Sequence, residues 1–155
     1  MSTVHYRKLT VDDYMDALAL YNELHSEASV ISGAWVEDRF AQILHHDGTT
    51  IFGAVFDGAV VSMATLHILP NMTYDGRPYC LIENVITHHA DQGQGYGRGV
   101  IEQAVKTAWD ARAYKIMLLS GKSNDAKGFY EKCGFREDEK HGMVLRRTPL
   151  RDTLD

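Results

Sequence analysis

Residues 91–100 read "DQGQGYGRGV", in which Gly93, Gly95, Gly97 and Gly99 alternate with long polar or aromatic side chains. The stretch follows a strand-like run, residues 79–87. It precedes a pattern of Val100, Ile101, Ala104, Val105, Ala108 and Trp109 at helical spacing. Three uses compete for it. A flexible loop fits poorly, because the glycines stand directly between two ordered elements. A dinucleotide fingerprint, G-x-G-x-x-G, fails in both frames: from Gly93 its last position is Arg98, and from Gly95 it is Val100. The third use is a pyrophosphate cradle at a helix N-terminus. Glycines let backbone N–H groups approach an anion, the first helical turn has unpaired donors, and Arg98 adds a cation. Residue chemistry alone leads to a phosphate-bearing ligand and stops there.

Working outward, residues 4–9 form a short strand, and Thr10 caps a helix with Asp13 three residues on. Tyr14, Ala17, Leu18, Tyr21, Leu24 and His25 share one face of that helix, and a second helix turns Val36, Phe40, Ile43 and Leu44 inward. The period then changes to two. Residues 50–56, the turn Asp57-Gly58 and residues 59–69 read as a β-hairpin. A connection over 70–78 leads to the strand 79–87. Residues 114–120 form a buried strand, residues 124–133 a short helix stopped by Gly134, and residues 143–147 a closing strand. This order describes an α+β fold: one domain, 1–155, with a mostly antiparallel sheet flanked by helices.

Composition narrows the function. A chain of 155 residues with 45% apolar content suits one domain with a real core. A net charge of -5 gives no basic surplus to displace counterions from nucleic acid. The first ten residues lack a signal-like apolar run and no run approaches membrane-spanning length, which points to a cytoplasmic protein free of membranes. Cys80 and Cys133 have no metal-like spacing and read as buried reduced thiols. The pairs His45-His46 and His88-His89 point apart as neighbours do, with no third ligand nearby, so no metal is expected. "SGKS", residues 120–123, imitates a phosphate loop, but that motif needs a glycine where Ile116 stands.

Gln92-Gly93-Gln94-Gly95-Tyr96-Gly97 matches the Q/R-x-x-G-x-G/A signature of the GNAT N-acetyltransferase superfamily, in its expected place between strand and helix. "NDAKGFYEKCGF", residues 124–135, resembles that superfamily's second block, and the two blocks stand in register over residues 81–135. Within the superfamily the chain looks especially like glucosamine-6-phosphate N-acetyltransferases. The resemblance implies a sandwich whose fourth and fifth strands splay apart, with acetyl-CoA as acyl donor. Its pyrophosphate would meet the backbone of Gln92, Gly93, Gln94, Gly95, Tyr96, Gly97 and Arg98. Its pantetheine arm would lie along Val85, Ile86 and Thr87 like an added strand. Asn124 would contact that arm or cap its helix, and Lys127 would meet a phosphate. A homodimer is compatible with the superfamily, although no seam is visible in the sequence.

Acetyl transfer to an amine sets three tasks. A lysine-like amine, with an ordinary pKa of about 10.4, must lose a proton; an oxyanion needs a fixed donor; and a thiolate of ordinary pKa about 8.5 departs better protonated. Glu83, a carboxylate in mid-strand among Leu81, Ile82 and Val85, is the candidate base, since it needs work or a partner there. The N–H of Val85, beside an expected bulge, serves the second task. Tyr130 matches the superfamily's thiolate-protonating tyrosine. The acceptor would sit among the first two helices, their loop and residues 71–77, where Glu27, Trp35, Glu37, Asp38, Tyr74 and Asp75 suit a small cationic amine. Asn84 stands where the amino-sugar-phosphate enzymes carry an aspartate, which leaves the acceptor unassigned. The competing functions are an acyl-CoA sensor without catalysis, an acetyltransferase for protein or peptide amines, and a purely structural interaction domain.

Overall fold

The computed structural model describes residues 1–24, 31–122 and 126–147. The chain divides into two compact units, Met1–Leu118 and Leu119–Asp155.

The first unit is built on a five-stranded sheet in the order β1-β2-β3-β4-β5. These strands are β1 (His5–Lys8), β2 (Thr49–Phe56), β3 (Ala59–Leu69), β4 (Tyr79–Thr87) and β5 (Ile116–Met117). All pairings are antiparallel except the parallel pair β4–β5. The β2–β3 hairpin turns on Asp57-Gly58 as expected, both with positive φ (51° and 83°), the geometry of a tight two-residue turn.

Helices α1 (Tyr14–Leu24) and α2 (Trp35–Leu44) cover one face of the sheet. Their buried residues, Ala17, Leu20 and Phe40, share a core with Leu9, Ile51 and Met63. Leu20 is only 1% exposed although it falls outside the helical face read from the sequence, which shows that α1 is rolled further onto the sheet. A three-residue 3-10 turn (Val11–Asp13) precedes α1. Asp13 accepts from the Thr10 N–H at 2.7 Å and from both Nη atoms of Arg7 at 2.7 and 2.8 Å. The Arg7 guanidinium, ahead of every other influence, holds the Asp13 carboxyl below its ordinary range.

Helix α4 (Tyr96–Asp110) covers the opposite face with Val100, Ile101, Ala104 and Ala108, none more than 1% exposed. Trp109 lies 51% exposed, outside that face. Gly99 permits the close approach: a Cβ there would stand 2.2 Å from Cζ of Tyr6. This glycine serves helix–sheet packing, not an anion.

Two expected strands are corrected. The buried strand over 114–120 shortens to β5, which pairs only Ile116 with Cys80 and Met117 with Leu81; Met117 and Leu119 are exposed. The closing strand over 143–147 does not form. Met143 and Leu145 are 91% and 100% exposed, and no strand pairs with this segment among the described residues. The connection over 70–78 contains a single helical turn, α3 (Thr73–Gly76), with Tyr74 and Asp75 both at positive φ. The second unit carries α5 (Lys127–Lys132), closed by Gly134 at φ +95°, whose N–H reaches the Glu131 carbonyl at 2.9 Å.

Candidate functional site

The glycine turn begins with the 3-10 turn His89–Asp91 and runs through extended Gln92 into Gly93 (φ +78°) and Gly95 (φ +84°). Both glycines occupy the left-handed region, where a Cβ would be strained, and Gly95 is the N-cap of α4. No side chain caps the helix among the described residues, and no acid lies in its first turn. The positive helix end therefore faces an exposed stretch, Gly93, Gln94 and Gly95, with unshielded donors. Gly97 is buried in the first turn of α4, and the Tyr96 ring packs on Phe56 with centroids 5.6 Å apart, leaving the main chain to line the turn. Arg98 bonds Glu102 at 3.0 Å, so its charge is already shared.

The side chains of Glu23 and Gln92 help to hold this turn to the rest of the unit. Glu23 on α1 accepts from the His89 N–H at 2.7 Å and lies 3.7 Å from Nδ1 of His88. Nothing in the sequence links positions this far apart, and Glu23 went unnoticed for that reason. Gln92 donates from Nε2 to the Thr87 carbonyl at 3.4 Å.

The neighbouring strand supplies an open edge. Opposite β3, Met63 pairs with Ile86 and Thr65 with Glu83, so Asn84 and Val85 together face Ala64. This is a bulge, with Asn84 at φ +52°, and it lies beside Val85 as expected. On the far side β4 pairs with β5 only at Cys80 and Leu81, so residues 82–87 have no partner strand there among the described residues. The His88 N–H bonds the Val61 carbonyl at 2.7 Å. By the alternation of an antiparallel ladder, Ile86 then faces β3 while Val85 and Thr87 present main-chain groups to the open edge.

Glu83 belongs to the α1–α2 face. Directly opposite residues share a face, and its partner Thr65 is two positions from the core residue Met63. The carboxylate is half-buried and has no hydrogen-bond or ion-pair partner among the described residues. Tyr21 on α1 reaches the same neighbourhood. Burial pushes its phenol above the ordinary value, and the Thr65 hydroxyl opposes part of that rise. Tyr21 was legible only as a core residue. His67 also lies on this face, where Thr49 Oγ1 joins it (2.9 Å) to His46 (3.1 Å). Among the described residues no group of three or more His, Cys, Asp or Glu could hold a metal.

Beside the bulge lies a cavity of about 250 Å³. Tyr14, Tyr21, Trp35 and Phe40 line it with aliphatic side chains of the same two helices and with Ile31, and Asn84 and Arg39 supply its other polar groups. Asn22 holds the end of the α1–α2 connection by accepting from the Ile31 N–H at 2.6 Å. Gly33 leaves room for the indole, which a Cβ would meet at 2.9 Å. The expected acceptor residues fall in different places. Trp35 lines the cavity, but Glu37, Asp38, Tyr74 and Asp75 do not; Tyr74 stacks on Tyr114 at 4.1 Å instead. Charged side chains stay in water unless paired, and Glu37 and Asp38 lie on the exposed side of α2. Glu27 lies outside the described residues, as does Asn124.

In the second unit, Tyr130 is half-buried with its ring edge-on to Phe129 (5.1 Å) and Phe135 (6.2 Å). Lys127 is exposed and bonded to Glu137, with Glu131 at 3.8 Å, so acids of its own unit already hold its charge.

Comparison with known proteins bears on this geometry. The profile of the Acetyltransferase (GNAT) family matches residues 12–135. A glucosamine 6-phosphate N-acetyltransferase of Trypanosoma brucei brucei is 32% identical over 136 residues, covering 86% of this chain and 90% of that protein. A solved structure from Agrobacterium tumefaciens str. C58 superposes with a TM-score of 0.86 at 40% identity, covering 92% of this chain and 99% of the other. The glucosamine-6-phosphate N-acetyltransferase of Arabidopsis thaliana gives 0.81 at 22% identity over 94% and 99% of the two chains, a likeness of fold. No described helix is long and apolar enough to cross a membrane.

Proposed function

Because the chain belongs to the Acetyltransferase (GNAT) family, we propose that it uses acetyl-CoA to N-acetylate a small primary amine, with residues 1–155 acting as one acetyltransferase. The observation that carries this is the combination of an uncapped, acid-free helix end with an unpaired strand edge and a half-buried carboxylate on the same strand. The residues present fit the donor. Gly93 and Gly95 have nothing within 4 Å of where a Cβ would stand, so a diphosphate can approach the main chain from Gln92 to Arg98. Val85 and Thr87 offer main-chain groups to an amide-bearing arm, as strand addition requires.

When bound, acetyl-CoA supplies an acyl group activated as a thioester. Glu83 takes the proton that the amine nitrogen gives up as it bonds to the acyl carbon. The Val85 N–H donates to the acyl oxygen, a contribution of about 2.7–4 kcal/mol for a well-aimed donor. Tyr130 returns a proton to the sulfur as the carbon–sulfur bond breaks. Its role rests on the motif it matches. Asn124 and Lys127 are assigned to the donor on the same motif. This function carries with it a cytoplasmic location and accommodates a homodimer.

The test compares wild type with Glu83→Gln and Tyr130→Phe by release of free thiol, with acetyl-CoA affinity measured by calorimetry. Each variant should lose about 10²-fold or more in kcat, the low end for a positioned acid or base, while donor affinity stays within about two-fold. Equal losses of affinity and turnover would show that these groups bind or pack and do no proton transfer.

A further inference from the structure

Resting on that acetyltransferase function, we infer that the acceptor is a single-ring, apolar or aromatic amine bearing an acidic group, with Arg39 its anion-binding residue. The cavity beside Asn84 is the place for it. It lies on the α1–α2 face to which Glu83 belongs, and Asn84 is the next residue along β4. An amine reaching the Glu83 carboxylate from this side would leave the remainder of its molecule among Tyr14, Tyr21, Trp35 and Phe40.

Three properties select that remainder. The lining is predominantly aromatic and aliphatic, which suits a flat apolar body better than a sugar's many hydroxyls. The volume of 250 Å³ lies below the ~300–1,000 Å³ common for drug-sized ligands, so one ring system fits and a chain of rings does not. The charge selects as well. No carboxylate lines the cavity among the described residues, and Asn84 is neutral, so a polyamine's additional ammonium groups would meet no counter-charge there. Arg39 is the cation present. Its Nε donates to Gln42 Oε1 at 3.1 Å, and no acid pairs with it among the described residues. An exposed guanidinium that lines the cavity and is not engaged by an acid is suited to a carboxylate held in a two-point contact.

The experiment measures kcat/KM by thiol release from acetyl-CoA for phenylalanine, phenethylamine, glucosamine 6-phosphate and spermidine, with wild type and Arg39→Gln. Wild type should favour phenylalanine over phenethylamine by about ten-fold or more, and both over spermidine, because a site built for a polar group rejects an analogue lacking it. Arg39→Gln should collapse the phenylalanine-to-phenethylamine ratio to near unity, chiefly through KM, and Arg39→Lys should restore part of it. Equal turnover of the two aromatic amines, an equal fall for both in Arg39→Gln, or preference for glucosamine 6-phosphate would overturn this assignment and leave the acetyltransferase intact. Binding of acetyl-CoA without turnover of any of the four amines would overturn both.

Discussion

The two faces of the sheet are packed to different ends. Under α4, small residues bring helix and strands together: Ala104 and Ala108 are fully buried, and Gly99 lies flush against Tyr6. Under α1 and α2 the rings of Tyr14, Tyr21, Trp35 and Phe40 line an unfilled volume, and the paired Thr65 and Glu83 lie on the same face of the sheet. A closely packed face holds its elements rigidly, because any added methylene must displace a neighbour. A face with a void leaves its side chains room to adapt to a guest. The proposed function divides along this contrast: α4 carries the glycine turn assigned to the donor, and the α1–α2 side carries the cavity proposed for the acceptor.

Substitutions can break or sharpen this contrast. The largest stability effect is expected from Gly99→Val, whose Cβ would overlap the Tyr6 ring. Overpacking of this kind should cost about 3 kcal/mol in chemical denaturation, whereas Leu18→Ile, on the cavity side, should cost less than about 1.5 kcal/mol. Comparable costs would mean the faces do not differ in rigidity.

Next comes the Arg7–Asp13 pair, which anchors α1 to β1. Asp13→Ala should lose about 2 kcal/mol, from a cap and a charge-assisted bond together. The folded-state pKa of Asp13 is depressed, so its contribution is present above the ordinary carboxylate range. It fades as pH falls through the folded value, and the wild-type advantage over Asp13→Ala should shrink on acidification. An advantage independent of pH down to strongly acid solution would contradict the assignment.

The smallest stability effect is expected from Gly95→Ala, at about 1 kcal/mol for a left-handed alanine. Acetyl-CoA affinity should nevertheless fall by about ten-fold or more, the equivalent of 1.4 kcal/mol, as the turn relaxes. Unchanged affinity in a folded variant would remove the glycine turn from the donor site.

What the sequence revealed follows the same division. The hairpin at Asp57-Gly58, the strand Tyr79–Thr87 and the helix after Gly95 were legible because each depends on neighbouring residues. The cavity was not, since Tyr21, Arg39 and Asn84 come from separate elements and share no motif; two of them looked like ordinary helix residues. The strand expected over 114–120 was overextended because an apolar run specifies burial potential and carries no information on how long its partner stays alongside. Met143, Val144 and Leu145 misled in the same way. Gly99 was visible as one of four alternating glycines, but its duty was not, because an anion turn and a helix crossing both call for glycine and only coordinates separate them.

The Gln92 amide, resting on the Thr87 carbonyl at 3.4 Å, has a bearing on solubility. A bare strand margin invites pairing with another molecule of the same kind and, at high concentration, precipitation. A side chain laid across it, next to a kink at Asn84 that spoils the flatness such stacking needs, lets the protein keep that margin available without turning it into a seed for self-association.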